Sequence, residues 1–332
     1  MSEPEADAVV TWVDDRDDHW RSLRDSHAAE RGVEPRAQDY RSWDNLIYWF
    51  RAIDRFCPWI RLVHLVTENP VPDWLDAAHP RLRVVRHGDF IPAEYLPTFN
   101  SHVIELQLHR IPDLAANFVY FNDDTFPLRP LSLGHFFPRG KPAGIAALSA
   151  LSIGDPVNHA LLNSLDLVNR HFDKRSVIRR NPAGWFARVY GPRLLAQTVS
   201  LLPWPRFTGF HNSHLPQALR RASFERVWAA GEQQLEETSR SRFRSPSDVH
   251  PYVFSHWQVC VGDFTPVSPR GYGRSFQLGI DSAEDVARAI TSGRLAQACI
   301  NDGPLDDFEQ TRDLINGALA ELLPRPSSFE RT

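Results

Sequence analysis

The stretch that most constrains this chain is Asn117-Phe118-Val119-Tyr120-Phe121-Asn122-Asp123-Asp124-Thr125-Phe126, an apolar run that stops abruptly at an amide and two adjacent carboxylates. Consecutive apolar residues without polar alternation predict a strand covered on both faces, as in a mostly parallel sheet. Ligands of open α/β sheets collect just beyond the carboxyl ends of the strands. Two neighbouring acids at such an end repel each other unless a cation, a bound proton or hydrogen-bond donors compensate them. A plain loop with Asp124 in an Asx-turn would carry the same letters, so the rest of the chain has to decide.

The pattern recurs. Ala8-Val9-Val10-Thr11-Trp12-Val13 is a β-rich run followed by Asp14-Asp15, and Ala298-Cys299-Ile300 runs into Asn301-Asp302. Residues 60–67 and 81–87 read as further strands. Leu46, Trp49, Phe50 and Ile53 recur at helical spacing, with Arg41, Asp44 and Arg51 off that stripe. Asp44 is either the N-cap of this helix or a free polar group. A second helix is expected over 101–110, capped by Asn100 or Ser101, with Val103 and Leu106 inward. His102, Glu105 and His109 share its other face, but the spacing is not HExxH and argues against zinc. Strands alternating with helices predict an α/β fold whose mostly parallel sheet is joined by crossovers. GxGxxG, GxxxxGK[ST] and GxSxG are absent, which weakens dehydrogenase, P-loop and α/β-hydrolase readings.

Length sets the organisation. A chain of 332 residues supports two domains or one large α/β domain with insertions. We expect a core from 1–135 and 250–325, a mainly helical insertion at 136–249, and a Pro/Ser-rich tail at 326–332. Within the insertion, Arg170, Lys174, Arg175, Arg179, Arg180 and Arg188 form either a solvated face or a surface that meets an anionic acceptor or lipid headgroup. Arg240, Arg242 and Arg244 alternate, a pattern that can fork onto phosphate oxygens. The net charge of −4 argues against a nucleic-acid partner. Cys57, Cys260 and Cys299 form no CxxC pair. The acidic N-terminus lacks an apolar leader core, and no apolar run spans a bilayer. The expectation is a soluble cytoplasmic protein, with peripheral membrane attachment left open.

Four blocks in order resemble the Stealth family of sugar-phosphate transferases, which includes bacterial capsule and exopolysaccharide phosphotransferases and the lysosomal-enzyme N-acetylglucosamine-1-phosphotransferase catalytic subunit. They are Val10-Thr11-Trp12-Val13-Asp14; a long block from Arg41 through Leu96-Pro97-Thr98-Phe99-Asn100-Ser101-His102 to Phe121-Asn122-Asp123-Asp124; His211, His214 and the segment from Arg242 to Asp248; and Cys299-Ile300-Asn301-Asp302. Asp44-Asn45-Leu46 stands where many relatives carry Asp-Glu-Leu, a neutral group in place of a charge.

The resemblance implies a nucleotide-sugar-binding sheet of Rossmann-like or GT-A-like form. It implies transfer of a sugar-1-phosphate from a nucleotide sugar, typically UDP-linked, to the hydroxyl of a glycan or glycolipid acceptor, releasing UMP. Such chemistry needs the diphosphate neutralised, a base for the hydroxyl and donors for the equatorial oxygens. Under this resemblance Asp123, Asp124 and Asp302 are candidates to hold Mg²⁺ or Mn²⁺. His214, or else His211, is the candidate base, and Arg244 the phosphoryl clamp. Trp12 and Asp14 would meet the nucleoside; Asn100, Ser101, His102 and Glu105 would line the donor pocket. Arg41, Asp44, Arg51 and Arg110 complete the substrate-binding candidates. A metal-dependent glycosyltransferase releasing UDP is the nearest rival. A non-catalytic glycan-binding protein is a third reading, but gives no reason for acids at three strand ends.

Overall fold

In the computed structural model, which describes residues 5–331 apart from 155, a five-stranded and a three-stranded sheet meet at the two-acid turn, and a two-stranded parallel pair lies apart from them in the hydrogen-bonding order. The first four residues of the acidic leader, Asp155 and Thr332 lie outside the described residues. Strands β1 (Ala6–Thr11), β2 (Val63–Val66), β3 (Leu82–Val85) and β4 (Asn117–Asn122) are mutually parallel. They run in the order β3-β2-β1-β4, with an antiparallel fifth strand beyond β4. The mostly parallel α/β architecture expected from the strand order is therefore the one observed.

Residue alternation along β4 explains its apolar run. Val119 and Phe121 enter one buried cluster with Trp49, Phe50 and Ile53 of the Leu46–Phe56 helix. Phe118 and Tyr120 enter the other, with Phe224 of the Arg221–Ser239 helix and Phe254 of the Tyr252–Val261 helix. Successive side chains point to opposite faces, and both faces are covered. At the far end of the sheet Asp7, fully buried in β1, accepts from Arg61 Nε (3.0 Å), Arg61 Nη2 (2.7 Å) and the Leu62 and Ala115 amides. His64 Nε2 lies 3.1 Å from the same carboxylate.

From β1 the chain steps outward to β2 and β3, then returns on the other side of β1 as β4. The switch point falls between β1 and β4, where Thr11 pairs with Asn122, and a crevice opens at such a point. Only Asp123 and Asp124 separate β4 from β5 (Thr125–Pro127), which belongs to the second sheet. After β6 (Ala143–Gly144), β7 (Gln217–Arg220) and β8 (Thr265–Pro266), that sheet is completed by β9 (Arg274–Gln277) and β10 (Gln297–Asn301). Its order is β5-β10-β9, with β10 antiparallel to β5 and parallel to β9.

Three stretches carry more than their sequence showed. The stretch 136–249 is mainly helical but not separate: β7 is the fifth strand of the main sheet, antiparallel to β4, because Ala218 and Leu219 are apolar enough to be buried there. The 326–332 tail is anchored, with Phe329 fully buried 5.3 Å from the Phe50 ring and Arg51 paired with Glu330 at 2.8 Å. The helix expected over 101–110 ends at Leu106 and resumes as a tighter turn, Leu108–Arg110. His109 therefore leaves the face of His102 and Glu105 and stacks 5.4 Å from Phe224.

Candidate active site

The Asp123–Asp124 turn sits at the joint of the two sheets, and β10 closes over it. Ile300 N donates to Asp124 O (2.9 Å), and the Cys299 thiol donates to Asp124 Oδ2 (3.4 Å). Asp124 Oδ1 is buried with no hydrogen-bond partner. Burial, then the neighbouring Asp124 charge, pushes Asp123 up to about 7. Burial, with Asp302 nearby, pushes Asp124 up to about 6. This corner holds more negative charge than its donors offset.

Glu105 joins the corner from the Ser101–Leu106 helix, whose start is fixed by Asn100 Oδ1 accepting from His102 N (3.0 Å). Burial raises its carboxyl to about 7, against the opposing pull of Arg244 and of hydrogen bonds to Tyr120 and Ser101. Arg244 donates to Ser101 Oγ (2.9 Å) and to Asp39 (3.1 Å), so its guanidinium stands at the mouth of this pocket. Its alternating neighbours do not follow it: Arg242 Nη1 donates to Pro97 O (2.8 Å) and Arg240 pairs with Glu236.

A histidine wall faces the acids. Fully buried Asp248 accepts from Asn100 Nδ2 (2.8 Å) and the Ser245 amide (2.9 Å), and its Oδ2 lies 3.2 Å from His102 Nδ1. The His102 ring lies 5.0 Å from His250, which stacks on Tyr252 at 4.5 Å. The Tyr252 amide donates to His250 Nδ1 (3.1 Å), which places the proton of the neutral ring on Nε2. Burial raises the Tyr252 hydroxyl, with Cys299, Glu105 and Asp124 adding to the shift, and the hydroxyl interacts with the His214 backbone. The His214 ring stands edge-on to Tyr252 at 5.8 Å, and burial lowers its pKa. His211 goes elsewhere: with Asn212 and His256 it lines a separate recess of about 50 Å³.

Beyond the acids, the ends of β1 and β2 border a cleft of about 390 Å³ lined by Trp12, Asp14, Asp44, Asn69 and Trp74, among others. Asp14 N donates to Asn69 Oδ1 (2.9 Å), and Arg16 bonds both Asp14 oxygens and pairs with Asp44 at 2.6 Å. Asp44, with φ of 56°, is not the helix N-cap, one of the two readings open for it; Asn45 holds that position without a side-chain bond.

Two candidates lie outside these pockets. Arg51 faces the C-terminal tail and Leu323 O, and Arg110 lies over the Trp228 ring at 5.1 Å. Asp302 is committed to Arg41 through Nε (2.9 Å) and Nη2 (2.5 and 2.7 Å), with the Trp43 indole at 3.3 Å. Among the described residues no three His, Cys, Asp or Glu side chains form a ready metal cluster. The donor chemistry nevertheless fits a hard cation at Asp123 and Asp124, since one carboxylate oxygen lacks a partner and both acids are under-compensated. Tyr120, His250, Tyr252, Arg16 and Asp39 had not been singled out. Tyr120 could have been: it is the one hydroxyl inside the apolar β4 run.

Comparison with known proteins places these residues in shared segments. Residues 39–143 match the model of Stealth protein CR2, conserved region 2, and residues 213–258 match Stealth protein CR3, conserved region 3. The first contains Glu105, Asp123 and Asp124; the second contains His214, Arg244, Asp248, His250 and Tyr252. The chain is similar to the capsular polysaccharide phosphotransferase WcwK of Streptococcus pneumoniae, with 32% identity over 330 residues and 98% of each chain covered. It is 33% identical to the exopolysaccharide phosphotransferase cps2G of Lactiplantibacillus plantarum, over 98% of this chain and 96% of the relative. It is 34% identical to the receptor polysaccharide phosphotransferase WefC of Streptococcus gordonii, over 98% of each.

Proposed function

The chain belongs to the Stealth family of phosphotransferases, and from that premise we propose that it transfers a sugar-1-phosphate from a UDP-sugar to a glycan hydroxyl in polysaccharide synthesis, releasing UMP. The observation that carries the reading is the gathering of Glu105, Asp123, Asp124 and Arg244 near Tyr252, against which the His214 ring stands edge-on. The Trp12 cleft takes the nucleoside, and the acid corner takes the diphosphate end of the donor.

In this reading the acceptor oxygen attacks the β-phosphorus while His214 takes the hydroxyl proton. The bond between that phosphorus and the bridging oxygen breaks, and UMP departs with the electron pair. Arg244 forks onto the phosphoryl oxygens. Glu105, held near neutrality by burial, keeps a proton with which to donate to the sugar. Asp123 and Asp124 would hold Mg²⁺ or Mn²⁺, which supplies neutralisation of the diphosphate. The donor is cytoplasmic, and the acceptor glycan or glycolipid is met at the inner face of the membrane.

The test is product analysis with a panel of UDP-sugars, an acceptor extract and Mg²⁺. UMP release that is lost in Asp123→Asn is the expected outcome. UDP release would instead identify a glycosyltransferase.

A further inference from the structure

Between residues 174 and 206 the chain carries seven Lys or Arg and no Asp or Glu, although the whole protein has a net charge of −4. Lys174 is internal: it is 1% exposed and its Nζ donates to Leu201 O (2.9 Å) and Leu202 O (3.2 Å). That buried ammonium pins the Lys174–Arg180 helix to the end of the Gly191–Ser200 helix and the turn that carries Trp204. The remaining basic residues of this unit, Arg175, Arg179, Arg180, Arg188, Arg193 and Arg206, are exposed. None forms a salt bridge among the described residues, although the capping Asp173 carboxylate acts through space on Arg175 and Arg179; nearby Arg170 pairs with Asp166.

Large apolar groups are exposed along the same stretch of chain. Phe186 is 37% exposed, Val189 48%, Val199 53% and Trp204 52%. Trp204 stands between Pro203 and Pro205, all three exposed, in a turn whose Arg206 donates to Asn169 O (2.7 Å). A water-facing surface gains nothing from a protruding indole beside unpaired arginines. A bilayer interface accommodates both, since indole rings sit at headgroup depth and arginines meet lipid phosphates.

We propose that the outer face of the Lys174–Arg180 and Gly191–Ser200 helices, with the Trp204 turn, docks on an anionic phospholipid bilayer. The charge complementarity selects anionic headgroups, and the apolar groups select a bilayer over a soluble polyanion. The placement also serves the site, because the ten residues from Trp204 to His214 span at most about 35 Å even when fully extended. This inference extends the inner-face location proposed above, but its test requires neither donor nor turnover, so the two can fail separately.

The experiment is co-sedimentation of the full chain with vesicles of phosphatidylcholine alone and of phosphatidylcholine with phosphatidylglycerol. Binding only to the phosphatidylglycerol vesicles, weakening as salt rises, is expected. Each Arg→Gln change at Arg179, Arg188 or Arg193 should weaken it about fivefold, and Trp204→Ala about tenfold. Arg240→Gln, on an exposed arginine paired with Glu236, should leave it unchanged. Thermal melts show whether each variant is folded, and the salt dependence of the unmodified chain needs no variant. No binding at low salt, equal binding to neutral vesicles, or full binding by the triple Arg→Gln variant would overturn the proposal. So would a triple variant that loses a soluble phosphodiester-linked glycan but keeps the vesicles.

Discussion

His214 holds a left-handed backbone, with φ of 47°, a conformation that costs a non-glycine residue of order 1 kcal/mol or more. The turn sets its ring edge-on to Tyr252, whereas His211, three residues earlier, lines another recess. His214→Ala should lower kcat about 10²- to 10⁴-fold with little change in KM. Burial holds the imidazole below its ordinary 6.5, so a base at this position stays unprotonated down to more acidic pH. The acid limb of the kcat/KM profile should therefore lie below pH 6.5 and disappear in His214→Ala. A second residue-scale test concerns Asp7. Burial favours its neutral form, but His64, Arg61 and the Ala115 amide outweigh that and depress its pKa. Its contribution is present above the unfolded-state value near 3.8 and is lost as pH falls through the depressed folded value. Asp7→Asn should cost roughly 3–5 kcal/mol at neutral pH, because Arg61 and His64 lose their counter-charge. Urea unfolding at several pH values measures both effects.

At the scale of elements, β4 was legible because its burial on both faces removes alternation, a property written in the letters themselves. The acid end of β4 was legible only with the rest of the chain, because a plain Asx-turn would carry the same letters and the recurrence of acids after other strand-like runs decided between them. What stayed hidden was which partner each polar group meets. Arg41 and Arg51 flank the same helix stripe, yet one reaches Asp302 and the other Glu330, 261 and 279 residues away. Such pairings follow from the docking of distant elements and leave no periodic trace. The tail hides its role similarly, since one phenylalanine among prolines and serines carries no pattern. Phe329→Ala should cost about 3–5 kcal/mol, as expected for emptying a filled aromatic site. Glu330→Gln should cost about 1–3 kcal/mol by removing the partner of a mostly buried guanidinium. Chemical denaturation of both variants checks the order.

For the whole molecule, the two larger sheets and their helical layers leave a corner where buried carboxylates lack full compensation. If a divalent cation completes that corner, chelation should abolish turnover and added Mg²⁺ or Mn²⁺ should restore it. Undiminished turnover in chelator would remove the metal from the proposal. Asp302 was expected as a third ligand, and in this structure Arg41 holds it. Arg41→Met should then weaken the tie between the second sheet and the segment before the Leu46–Phe56 helix, seen as faster amide exchange in both. Within the stretch expected as a mainly helical insertion, one short strand, β7, joins the main sheet; four residues are too few to show a period.

The thiol that caps Asp124 comes from a strand 175 residues further along the chain. A ribosome adding about 5–20 residues per second needs roughly 10–35 s to cover that interval. Throughout that time the emerging polypeptide already contains β1, β4 and the acid turn, but not the strand that closes over them. A half-made chain therefore holds the residues of the Trp12 cleft without the finished corner, and the full constellation arises only once β10 has been synthesised.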